Sequence, residues 1–291
     1  MNLGSNVKKQ ISFKDNSKRW NWVLLIPFAI ITLLLLIIPL IMIFIKAFMK
    51  AKGADSVSDN WIFINGFIWQ KILMSAFVAL ITTIICIFIA YPFAYFLSTN
   101  RNRIFKTIVI FIATAPVWTS FLVKLIGLKT FFDICAGYDN STFGNFWTII
   151  GFIYLYLPFM IMPLYSVLNG MPKNLIYASY DLGYGSFRTF IKVVLPYTKV
   201  ALISGITLVF LPSLTTVAVP QFLNNNNDNS LIGDIIVSWG ESGLTNDVDM
   251  ASASALSLVL SLLLLGVYAV YLLSYKVLWK KIKAKRKGQN A

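Results

Sequence analysis

Six long apolar runs, parted by shorter polar stretches, organise this chain: Val23–Ile45, Ile72–Leu97, Ile104–Gly127, Phe146–Leu168, Val193–Leu211 and Ala251–Leu273. A hydrocarbon core of about 30 Å takes about 20 apolar residues at ~1.5 Å each, so each run can cross a bilayer as a helix. The pattern therefore predicts an all-α, polytopic membrane protein with six transmembrane helices. Residues 1–22 form a polar N-tail, 23–275 one membrane domain, and 276–291 a basic C-tail. The first run is longer than the apolar core of a cleaved leader, and no small-residue cleavage site follows it. It is expected to stay as a span.

Between the runs, three stretches are patterned. WIFINGFIW, at 61–69, is expected to form a short helix lying in the interface. Residues 212–250 carry Pro212, Pro220 and the low-complexity run NNNNDN at 224–229, expected to be a loop. The apolar stretch Leu231–Trp239 follows; it is too short to span and reads as a re-entrant or interfacial helix.

The third stretch is YASYDLGYGSFRTFIKVVLP, residues 177–196, between the fourth and fifth runs. Pro172 suits the first turn of a helix, where a missing N–H costs nothing. Leu175, Ala178, Ser179 and Leu182 then share one small, apolar face, with Tyr177, Tyr180 and Asp181 on another. Gly183 is placed as a helix-ending residue of positive φ, and Ser186 as the cap of the next helix. A helix lying on lipid alone would set bulky apolar residues against lysines. Small residues and tyrosines with a glycine exit suit a protein groove instead.

Composition and charge sharpen this reading. The chain is 58% hydrophobic and 12% charged, about half the charge of a soluble domain. The net charge of +14 would fit nucleic acid were it clustered, but its distribution follows the positive-inside rule. With six spans, one side holds Lys8, Lys9, Lys14, Lys18 and Arg19 of the N-tail, Arg101, Arg103 and Lys106, then Lys173, Arg188, Lys192 and Lys199, and the lysines of the C-tail with Arg286. That side is expected to be cytoplasmic, with both termini on it and the chain in the plasma membrane. Of the 11 acidic residues only Asp15 and Asp181 fall there. The outer acidic excess fits either a cationic solute or a solvated loop face. Cys86 lies mid-span and Cys135 in an outer loop, so their pairing is not expected. The absence of histidine removes the usual metal ligand and the commonest general base, which argues against an enzyme.

The spacing of the fourth-to-fifth segment resembles a loop in the membrane subunits of bacterial ABC importers: Glu-Ala-Ala, three residues, Gly, nine residues, Ile-x-Leu-Pro. Here it reads Tyr177-Ala178-Ser179, three residues, Gly183, nine residues, Val193-Val194-Leu195-Pro196. Tyr replaces the leading Glu and Ser the second Ala, while Asp181-Leu182-Gly183 is intact. PVWTSFLVK (116–124), YLYLPFMIMPLY (154–165) and SLIGDII (230–236) are similar to segments of spermidine/putrescine permeases, more to the B-type subunit than the C-type. The resemblance covers roughly residues 20–275.

This resemblance implies a type I ABC importer permease fold with a cytoplasmic coupling helix at about 172–186. It implies two ABC ATPase subunits, a second, homologous permease subunit and an external substrate-binding protein as partners, with no nucleic acid. No GxxxxGK[ST] phosphate loop occurs. ATP and Mg are thus expected on the ATPases, and no cofactor on this chain. Tyr177, Ala178, Ser179, Asp181, Leu182, Gly183, Phe187 and Pro196 are the implied coupling residues. A polyamine is well held by carboxylates and aromatic faces, so Trp118, Tyr154, Tyr156, Asp133, Asp234 and Glu241 are candidates for the solute path. Each aromatic can equally be core or belt packing, and each carboxylate a solvated loop residue. Lys124 is expected to snorkel; facing a pore, it would oppose a cation. The open alternatives are an ABC importer for another small solute, a non-ABC membrane transporter, or an assembly subunit.

Overall fold

The computed structural model of the chain describes residues 25–61, 65–136, 140–223 and 231–288. The N-tail and the Asn run lie outside these residues. Regular structure among the described residues is helical throughout. The chain divides into two compact units, one of residues 1–63 with 239–291, the other of residues 64–238.

In the first unit, α1 (Leu25–Phe48) is 24 residues long, and the rest of the chain covers none of its most apolar window. A helix apolar all round and uncovered is built for lipid. Its last turn is closed by Asn60, from the short 3₁₀ turn Val57–Trp61. The Asn60 amide donates to the carbonyls of Ala47 at 3.1 Å and Met49 at 2.8 Å, satisfying orphan acceptors of the helix end. The last helix of the chain, Asp247–Gly288, packs along α1. Ala251–Leu256 on it is buried throughout, and this Ala-Ser alternation permits close helix approach. The hydroxyls of Ser252, Ser254 and Ser257 donate to carbonyls four residues back at 2.8–2.9 Å, so the polar atoms cost nothing in an apolar surround. This helix runs past Leu273, so backbone helix continues through most of the stretch expected as a C-tail.

The second unit is centred on three helices, α2 (Gly66–Thr99), α5 (Asn140–Asn169) and α7 (Ser186–Thr215), which pack on one another. Their core holds Val78, Cys86, Ala90, Tyr91, Phe152, Met160, Leu164, Val194 and Val209. Gly205 explains how closely α5 and α7 approach, since a Cβ there would stand 2.5 Å from the Met160 sulfur. The Tyr91 hydroxyl is paired with that of Thr198. Of the short helix expected over WIFINGFIW, residues 62–64 lie outside the described residues; Trp61 ends the 3₁₀ turn, and the Asn65 side chain accepts from the Ile68 N–H at 3.2 Å to cap α2.

The third apolar run is not one straight helix. It divides into α3 (Arg103–Trp118) and α4 (Phe121–Ala136), bent by 98° at Thr119-Ser120. Among the described residues, five helices are long and apolar enough to cross a membrane, six when this bent pair counts as one span. Thr119 leaves the helix in an extended conformation, which strands the carbonyls of the preceding turn. The Lys124 ammonium reaches back and donates to the Pro116 carbonyl at 2.7 Å. It therefore does not merely snorkel: it places a cation on the negative end of α3.

Two wide π turns sit at Leu33–Ile37 and Phe190–Val194. Each ends two residues before a proline, Pro39 and Pro196 respectively. A proline has no N–H to give and its ring crowds the carbonyl four residues back; widening the turn accommodates both. The remaining elements are α6 (Asn174–Asp181), α8 (Ala218–Leu223), α9 (Ile232–Ser242) and α10, the Asp247–Gly288 helix. The short helix expected over Leu231–Trp239 is α9.

Candidate functional site: an exposed helix held by its own bundle

The fourth-to-fifth segment folds as α6, a tight turn, and the first turn of α7. Pro172 lies just ahead of α6 rather than in its first turn, and its carbonyl accepts from the Leu175 N–H at 3.1 Å. The exit of α6 is fixed by two backbone bonds, Gly183 N–H to the Tyr180 carbonyl at 2.8 Å and Tyr184 N–H to the Ser179 carbonyl at 3.1 Å. This is the Schellman closure, and it needs the positive φ that Gly183 supplies at +78°. Lys192 sits over the Tyr184 ring at 4.8 Å from its centroid, tying the turn to α7. Ser186 begins α7 but makes no side-chain cap; Gly185 occupies that position.

The faces of α6 are not divided as the periodicity predicts. Ser179 is 3% exposed and turns inward. Its hydroxyl donates to the Ile176 carbonyl at 2.9 Å and pairs with the buried Thr189 hydroxyl at 2.7 Å. Ser179 thus fastens α6 to α7 and belongs to the inner face. Leu175, Tyr177, Ala178, Tyr180, Asp181 and Pro196 are exposed. Leu182 and Phe187, at 75% and 76% exposure, stand furthest out. Two large apolar side chains free on a rigid element leave an uncovered patch of the kind that marks an interaction surface. Asp181 is the last residue of α6, where a negative charge opposes the helix dipole. It is not there to stabilise its helix.

The candidate path residues are dispersed. Trp118, at the end of α3, is 77% exposed. Tyr154 and Asp133 are exposed, on α5 and α4, as is Glu241 on α9. Tyr156 instead belongs to the core. It is stacked near Phe152 with centroids 5.8 Å apart, and its hydroxyl pairs with Thr216 at 2.7 Å. Asp234 is built into the framework that holds α9. Its Oδ2 accepts from the Leu231 N–H at 3.0 Å, and the neighbouring Ile232 N–H donates to Ser75 of α2 at 2.8 Å. A Cβ at Gly233 would lie 3.0 Å from the Thr215 carbonyl, so glycine allows α9 to meet the end of α7. Asp234 Oδ1 is buried without a hydrogen-bond partner among the described residues. Burial pushes the Asp234 carboxyl up to about 6, against the lowering effects of the Leu231 N–H and Lys71. No group of three metal-ligating side chains occurs among the described residues.

Sequence reasoning missed Lys124 as a helix-end donor, and the Ser179–Thr189 and Ser75–Ile232 bonds. All three depend on tertiary approach. Only Lys124 left a signal, a cation a few residues past a Pro-containing helix end.

A multi-pass helical bundle with an exposed short helix between its fourth and fifth apolar runs is the architecture of a transport permease. Residues 87–284 match the family described as "Binding-protein-dependent transport system inner membrane component", and the chain belongs to that family. It is 38% identical over 264 residues to the "Spermidine/putrescine transport system permease protein PotB homolog" of Mycoplasma pneumoniae, covering 88% of this chain and 92% of that one. Against the "Spermidine/putrescine transport system permease protein PotB" of Escherichia coli it is 30% identical over 270 residues, covering 86% and 96%. A solved bacterial ABC transporter involved in import of the acidic polysaccharide alginate superposes with a TM-score of 0.64 at 16% identity, covering 88% of this chain and 96% of that one. That likeness concerns the fold.

Proposed function

We propose that this chain is the permease subunit of an ATP-driven importer of polyamines, forming half of the translocation path with a related permease subunit. The observation that carries the reading is the α6 element, which exposes Leu182 and Phe187 on a helix fastened to α7 by Ser179–Thr189. Two ATPase subunits, holding ATP and Mg, dock on such elements and push. An external binding protein delivers the solute. The α6 face and both termini are cytoplasmic on this reading.

Polyamine as the solute is supported by the two relatives whose names state it and by the chemistry of the far side. Asp133, with Trp118 and Tyr154, offers exposed anionic and aromatic partners for a flexible polycation, while Asp234 belongs to the framework of α9. Tyr156 acts as framework. The fold alone does not choose the solute, since a bundle of the same shape serves an acidic polysaccharide.

The test replaces the two exposed anchors. Burying a large apolar side chain is worth about 1.5–3 kcal/mol, so Leu182→Glu with Phe187→Glu should weaken docking by at least a hundredfold. The variant should insert normally, lose its ATPase subunits on purification, and lose spermidine-stimulated ATP hydrolysis. Retention of the ATPases would overturn the docking role. Stimulation of the wild-type complex by an unrelated solute, and not by spermidine or putrescine, would reassign the cargo while leaving the coupling element in place.

A further inference from the structure

Beside α6, on the flank away from Leu182 and Phe187, a cavity of about 300 Å³ opens between the α2–α3 turn, the end of α5 and the start of α6. That volume is at the lower end of ligand pockets. Arg101, Lys106 and Lys173 line it together with Tyr177 and Tyr180, and among the described residues no carboxylate lines it. Three cations around one small space repel each other unless an anion joins them.

Lys106 shows how the space is built. Its ammonium donates to the Ser98 carbonyl at 2.7 Å and to Asn169 Oδ1 at 3.1 Å. These bonds hold the charge in place and leave one of its three N–H groups to spare. Arg101 and Lys173 are exposed and able to close over a guest. Arg101 offers the forked donor geometry that fits phosphate oxygens.

We infer that this cavity binds a phosphate-bearing anion, drawn together by Arg101, Lys106 and Lys173. The guest bridges the α2–α3 turn to the first turn of α6, and so stiffens the joint between the spans and the exposed helix. A phospholipid headgroup and free inorganic phosphate share this chemistry. Basic pockets between the ends of spans suit the first, and hydrolysis of ATP nearby would supply the second. The inference does not depend on the transported solute.

The full transporter complex serves for the test, in nanodiscs of phosphatidylcholine with or without phosphatidylglycerol. Native mass spectrometry counts retained phosphatidylglycerol, and thermal unfolding in phosphatidylcholine alone reads the effect of inorganic phosphate. The variant is Arg101→Gln with Lys173→Gln, which spares Lys106 and its structural bonds. Arg103→Gln with Arg188→Gln removes the same charge from the same end of the bundle, outside the cavity. Each cation is worth about 1 kcal/mol near an anionic headgroup, so the cavity variant should retain phosphatidylglycerol about thirtyfold more weakly, and the control should not. Loss of retained lipid in the cavity variant alone identifies a headgroup. Loss of a phosphate-induced thermal shift in that variant alone identifies free phosphate. Equal behaviour of the two variants in both assays overturns the inference. Should the double variant fail to assemble, Lys173→Gln alone replaces it, with about a fivefold loss expected.

Discussion

Gly183 holds the whole exit of α6 on one torsion angle. Its φ of +78° costs an L-residue roughly 1–2 kcal/mol, and nothing lies within 4 Å of where a Cβ would stand. A side chain there is strained without clashing. Gly183→Ala should therefore loosen the turn by about 1 kcal/mol, and Gly183→Asn by less, since asparagine tolerates this region. Gly183→Pro fixes φ negative and removes the N–H that reaches Tyr180. ATP-dependent uptake at equal membrane abundance should fall in the order wild type, Asn, Ala, Pro, with insertion intact throughout. Normal uptake by the Pro variant would refute the role given to the turn. At this scale the sequence was a good guide wherever a residue has one local job. Gly183 is legible because only a turn of one sense needs it after an amphipathic run. Ser179 is not, because its partner Thr189 meets it through the folding of the turn between them, and periodicity alone put it on the wrong face.

Among the elements, the bend between α3 and α4 was invisible to hydropathy. A sliding apolar count cannot distinguish one straight span from two halves meeting at 98°, because both bury the same residues. The remaining spans were legible as elements; most of their starts moved by four to seven residues, as with α2, which Asn65 caps and which begins at Gly66, six residues ahead of the expected Ile72, while α10 continues to Gly288, well past the expected Leu273. The two π turns before Pro39 and Pro196 follow from proline chemistry, yet no pattern of apolar positions marks them. The bend itself rests on Lys124. A hydrogen bond from a charged donor is worth about 1.5–3 kcal/mol, and losing it would leave the Pro116 carbonyl with the Thr119 hydroxyl alone, at 3.1 Å. Lys124→Met should lower the unfolding temperature of the purified complex by several degrees and reduce uptake. Lys124→Arg, which keeps the donor, should recover most of both. Were Lys124 instead an electrostatic barrier in the path, the Met variant would take up spermidine faster at unchanged stability.

For the molecule as a whole, charge decides which way the bundle sits. Arg101 and Lys173 lie on the turns beside α6, and Arg103, Lys106, Arg188 and Lys192 in the helix starts that follow these turns; translocating such a cluster is what membrane insertion avoids. Asp133, Asp234, Asp247 and Asp249 lie in segments that the alternation of spans in the sequence assigns to the other side. On the proposed reading, this asymmetry puts the α6 patch on the cytoplasmic side and the acidic ends outside. Two exposed leucines report on it, Leu182 beyond α6 and Leu244 between α9 and α10. In a Cys86→Ala, Cys135→Ser background, Leu182→Cys should react with a membrane-impermeant maleimide only in inside-out vesicles. Leu244→Cys should react only in intact cells, because a single crossing, α7, separates the two positions along the chain. Labelling of Leu182→Cys from outside would place the α6 patch beyond the reach of any ATPase and refute the docking role given to it.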